Sequence, residues 1–195
     1  MKNFLKIFTF SLLLIGMSVN AADIEDNVVK NINPDAIPSF IQKNPLNTSG
    51  YLPSQEKVSP SKKSNKSSLS FASGPASGIS YFEVIGVFSS QYGGWENIAP
   101  YQGSTAPHGG SQLYTAVLQI GYGNPNPATM NGISKTAFFT QPLCGVNLHN
   151  CGVGETIVGW LYYYNYSGQQ NGSFNASTNS IASPFGYWSD SVYIN

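Results

Sequence analysis

From Phe71 onward, apolar and polar residues follow the two-residue period of β-strands, and no stretch sustains the 3.6-residue period of an amphipathic helix. Leu113 to Ile120 sets Tyr114, Ala116, Leu118 and Ile120 on one face and Thr115 and Gln119 on the other. Thr156 to Tyr166 carries the strongest strand pattern. Val158, Trp160, Tyr162, Tyr164 and Tyr166 share one face, and Ile157, Leu161 and Tyr163 share the other. Ile79 to Phe88 is a run of β-branched and aromatic residues, and Lys135 to Thr140 is a shorter candidate. Gly172 to Thr178 is expected to pair back on the Thr156 strand through a hairpin loop at Gly168 to Gly172, and Val192 to Ile194 supplies a last short strand. Gly and Asn punctuate the intervals as tight turns demand. Strands without helices predict an all-β domain over residues 71–195, a single antiparallel β-sandwich or barrel.

The chain before Phe71 reads differently. Lys2 and Lys6 precede an apolar stretch from Ile7 to Met17, and Val19-Asn20-Ala21 offers the small residues a signal peptidase reads. Residues 1–21 are therefore expected to be a signal peptide, too short to span a bilayer, and the mature protein to be secreted or periplasmic. Over residues 22–70, Asp23 to Asn33 suits one short helix. Pro34, Pro38, Pro45, Pro53 and Pro60 then recur too often for a regular element. The Ser/Lys run through Lys62, Lys63 and Lys66 reads as a solvated, disordered linker, with a pro-segment cleaved at those lysines as the alternative.

Charge narrows the possible partners. Nine basic residues balance nine acidic ones, and all the basic residues are Lys. A chain without Arg forks or a basic stripe is not built for nucleic acid. Beyond Phe71 the only charged residues are Glu83, Glu96, Lys135, Glu155 and Asp190, among many aromatic rings.

That scarcity limits the chemistry. Cys144 and Cys151 are the only cysteines, and in an exported chain they are expected to form one disulfide. With His149 they make an incomplete metal set lacking a fourth ligand, so no metal or other cofactor is expected. His108, Glu96 and Ser111 form an imaginable Ser/His/Glu set, yet no Gly-x-Ser-x-Gly elbow accompanies it and no catalytic residue is assigned. A glycoside hydrolase needs two carboxylates about 5 to 9.5 Å apart, for which Glu83, Glu96 and Asp190 are the candidates. The aromatics are the more distinctive feature. Trp95 and Trp188 sit in loop-like Gly-rich settings, and Tyr164 and Tyr166 lie near a turn, where a rim would expose them. Rings flanked by amides and hydroxyls suit stacking on sugars, peptides or protein surfaces.

The strand opening at Gly78 to Ser89, the Tyr-rich Gly154 to Tyr166 and the Tyr193-Ile194 ending resemble YolA-type secreted bacterial proteins over roughly Phe71 to Asn195. The resemblance implies export and a compact β domain, and it carries no catalytic residue. The functional expectation is an exported, non-enzymatic protein binding glycan or peptide through Trp95, Tyr164, Tyr166 and Trp188. The alternative is a small secreted hydrolase of cell-wall or polysaccharide material using a carboxylate pair.

Overall fold

Turn residues cut the chain into short β segments that assemble into two antiparallel sheets. The larger is six-stranded, in the order β2 (Gly94–Asn97), β1 (Tyr81–Ser89), β3 (Leu113–Ile120), β9 (Ile157–Asn165), β7 (Phe139–Cys144), β8 (His149–Asn150). The smaller runs β11 (Tyr187–Ile194), β10 (Gly172–Ser180), β5 (Ala128–Met130), β6 (Ile133–Lys135), and β4 (Gly123–Pro125) also pairs with β10. The computed structural model describes residues 38–48 and 77–195, and these belong to one compact unit, Asp35–Asn195. The expected signal peptide, the helix at Asp23 to Asn33 and the Lys62 to Lys66 run lie outside the described residues. Among the described residues no helix is long and apolar enough to cross a membrane.

The inner core lies between the sheets. Phe82, Val84 and Val87 of β1, Val117 of β3 and Tyr162 and Tyr164 of β9 meet Met130, Phe174, Val192 and Ile194 from the smaller sheet. Both faces of the larger sheet are covered. Ile85, Ala116, Leu118, Leu143, Leu161 and Tyr163 form a second cluster on its outer face. This explains why β9 is apolar on both faces, a pattern expected of a strand covered on both sides.

Several sequence expectations change. The polar face of β3 is not solvated: Thr115 and Gln119 are fully buried between the sheets. The Thr178 hydroxyl donates to Gln119 Oε1 at 2.9 Å, and Gln119 Nε2 donates to the Gly121 carbonyl, so the amide is satisfied inside the core. Lys135 to Thr140 is not one strand; it is divided between β6 and β7, in different sheets. The chain after β9 does not turn back on it, because Gly168 to Gly172 carries it across to the other sheet, where β10 pairs with β11, β4 and β5. Val158 packs with the outer cluster rather than beside Trp160, since the β7–β9 register shifts between Leu143 and Cys144.

Part of the segment expected to lack regular structure is folded. Ser39–Lys43 form α1, one helical turn that starts after Pro38 and ends at Asn44, before Pro45. The prolines bracket the turn instead of preventing it, and Ile41 is buried against the outer cluster.

Candidate functional site

The four aromatic residues expected to bind ligand do not come together. Tyr164 is 1% exposed and Tyr166 0%, both inside the inner core against Phe174. Burial pushes their phenols up to about 12, and the Tyr166 hydroxyl donates to the Ala128 carbonyl at 2.7 Å. Those rings are structural, which corrects the expectation of an exposed rim. Trp188 belongs to strand β11 rather than a loop, and its side chain packs against the inner core. Trp95, on β2, packs against the outer cluster, and its indole N–H donates to the Asn44 carbonyl at 2.8 Å.

His108 does meet Glu96, with Ser89 rather than Ser111 as the third member. Its Nε2 lies 2.8 Å from Glu96 Oε2 and its Nδ1 3.0 Å from Ser89 Oγ. Ser89 Oγ also accepts the Tyr92 and Gly109 N–H groups, which occupies its acceptor capacity and turns its own hydrogen toward Nδ1. Glu96 in turn accepts from the Ala106 N–H and from Gln102 Nε2. The serine is fully buried and the Tyr92 ring stacks on the imidazole, centroids 4.8 Å apart. A nucleophile needs access to its substrate. This network instead ties the end of β1 to the loop before β3.

Cys144 and Cys151 are bridged, so neither thiolate is available to a metal beside His149. Just past the hairpin they close, Glu155 faces His149 at 3.0 Å. The Gly152 N–H, and then His149, hold its carboxyl below the usual carboxylate range. Glu83 and Asp190 line one small cavity of about 250 Å³ beside β1. Asp190 Oδ2 accepts the Val84 N–H at 2.7 Å, and Glu83 Oε2 accepts the Tyr81 hydroxyl at 2.7 Å.

The open surface lies on the smaller sheet. Alternation along β10 and β11 turns Phe174, Ala176, Val192 and Ile194 inward and leaves Ser173, Asn175, Asn179, Tyr187, Ser189, Ser191 and Tyr193 exposed. Across the pair, Ser173 stands opposite Tyr193, Asn175 opposite Ser191, Ser177 opposite Ser189 and Asn179 opposite Tyr187. Thr129 of β5 extends the row beside Asn175. The result is an amide and hydroxyl ladder with a tyrosine near each end, Tyr187 66% and Tyr193 45% exposed. A shallow cavity of about 500 Å³ opens over it, bordered by Pro127, Thr129, Tyr187 and Ser189, and among the described residues Asp190 is the only charged one on its walls.

A family described as a domain of unknown function, DUF4879, matches residues 74–194. The chain belongs to the DUF4879 family. No curated protein matches it. The DUF4879 region takes in every strand from β1 to β11 and leaves out the α1 segment at residues 38–48. The ladder on this DUF4879 domain was readable in principle, since alternation from Tyr187 to Ile194 already separates Tyr187, Ser189, Ser191 and Tyr193 from Trp188, Val192 and Ile194. Pro184 and Gly186 masked it by making the start of the strand look like a loop.

Proposed function

We propose that this DUF4879 protein is exported and binds neutral polysaccharide on the outer face of its smaller sheet. The observation that carries the reading is the ladder between Tyr187 and Tyr193, whose facing pairs are built from Ser, Asn and Tyr. Phenol rings take the C–H faces of sugars, while amides and hydroxyls exchange hydrogen bonds with sugar hydroxyls. The two rings are six residues apart on one strand, about 20 Å at the rise of a β-strand, which suits an extended chain better than a single sugar. The signal-peptide grammar of residues 1–21 and the likeness to YolA-type secreted proteins support export. The test is a glycan array followed by calorimetric titration with the full chain. Tyr187→Ala and Tyr193→Ala are each expected to weaken binding by roughly 1 to 3 kcal/mol. Absence of any glycan ligand, or unchanged affinity in the double variant, sinks the reading.

One observation favours a second reading, a hydrolase of polysaccharide. Glu83 and Asp190 share a cavity, as a carboxylate pair for glycoside hydrolysis would. Against it, each carboxylate already accepts a short hydrogen bond that serves the fold. Loss of turnover in Glu83→Gln with glycan binding retained would establish the hydrolase.

A further inference from the structure

The outer face of the larger sheet is a groove lined by rings, and a piece of this same chain lies in it. Phe40 of α1 stacks on Tyr114 with centroids 4.2 Å apart and meets Phe88 edge-on at 4.5 Å, with Trp95 at 6.1 Å. Ile41 is buried beside it. Leu46 lies over Gly86, where an added Cβ would come within 3.0 Å of both its methyl groups, so the bare backbone makes the seat. The indole N–H of Trp95 holds the Asn44 carbonyl. This segment adds no strand to the sheet, and it lies outside the DUF4879 region that supplies the groove. It also fits incompletely. A cavity of about 460 Å³ remains where Ile41, Pro45 and Leu46 face Leu148, His149 and Tyr163.

A groove made by the family domain, filled imperfectly by a segment from outside it, has the form of a peptide site with a tethered ligand. We infer that this face docks short peptide segments that present Phe, Ile at the next position and Leu six residues after the Phe, and that residues 38–48 are the resident occupant. The partner is a protein carrying such a segment in a one-turn helical conformation. The aromatic slot selects the Phe, and Gly86 selects the Leu. Because the resident segment is covalently attached, it competes as an intramolecular ligand, and a partner binds where the resident contacts are weakened or outcompeted.

The test uses the full chain and a fluorescein-labelled synthetic peptide of residues 38–48. A chain carrying Phe40→Ala and Ile41→Ser should bind this peptide about tenfold or more tightly than the wild-type chain does. Binding should also return the Trp95 emission toward its wild-type position. A peptide carrying Phe40→Ala should bind neither chain. If the substituted chain keeps its β-sheet circular dichroism but ignores the peptide, or takes both peptides alike, the inference is wrong. Should that chain not fold, hydrogen exchange on the wild-type chain decides. Amides of residues 40–46 exchanging well before those of β3 support a displaceable segment, and exchange as slow as that of β3 overturns it.

Discussion

At Thr115 the fold buries a hydroxyl with no hydrogen-bond partner among the described residues. Valine has nearly the same shape and no oxygen to desolvate, so Thr115→Val should raise stability by about 1 kcal/mol, read as a higher urea midpoint at unchanged slope. The tyrosines of β9, with Tyr166 just past its end, make a second prediction. Burial raises the phenols of Tyr162 and Tyr163 and pushes those of Tyr164 and Tyr166 up to about 12. A phenol raised in the folded state favours folding fully below its ordinary value near 10, and that contribution is lost as pH rises through the folded value. Stability should therefore hold up to about pH 10 and fall between about 10 and 12, with phenolate absorbance from these four rings appearing only as the chain unfolds. Their faces were legible in the sequence, because alternation put Tyr162, Tyr164 and Tyr166 together. The core position of Tyr162 was legible too, but the burial of Tyr164 and Tyr166 was not. Phe174 and the Ala128 carbonyl, which close over Tyr166, belong to another sheet and to positions remote along the chain.

Among the elements, β3 was legible to the residue and β9 nearly so, since β3 alternates without a breaker inside it and β9 does so from Trp160 onward. The partner of β10 was not legible. Neighbouring strands usually pair, but here the chain crosses between sheets, and the Asn131 side chain fixes the crossing by donating to the Asn171 carbonyl at 2.6 Å. The Ser89–His108–Glu96 network joins β1 to a loop that sequence alone left as a polar turn. Removing its centre takes one hydrogen bond each from the half-buried Glu96 carboxylate and the buried Ser89 hydroxyl, so His108→Ala should cost about 2 kcal/mol in thermal or urea unfolding. Glycan affinity should fall modestly as well, because the loop that Glu96 holds at Ala106 bonds the backbone of Tyr193 through Gly103 and Thr105. The Cys144–Cys151 bridge closes a small hairpin that carries Leu148 into the outer cluster. Cys144→Ser should cost about 2 kcal/mol with the fold retained. Non-reducing peptide mapping of the wild-type chain should recover the two cysteines joined.

For the molecule as a whole, scarcity of charge has a measurable outcome. With Asp190 the only charged residue bordering the ladder among the described residues, glycan dissociation constants at low and high salt should agree within about a factor of two. A strong salt dependence would point to an anionic ligand and another surface. Asp190 has a further role, through its hydrogen bond to the amide of Val84, 106 positions earlier. That contact joins the first strand to the last, and the neighbouring Thr105 N–H donates to the Tyr193 carbonyl in the same closure. It therefore imposes an order in time. While the chain is being made, β1 waits with its inner residues half covered until β11 exists, because no earlier segment supplies Val192, Ile194 or the carboxylate. Folding dominated by such distant pairings is slow and comes late. A nascent chain arrested before Tyr187 should remain protease-sensitive. Synthesis of β11 is the event expected to start the fold, and until then the polypeptide stays threadable.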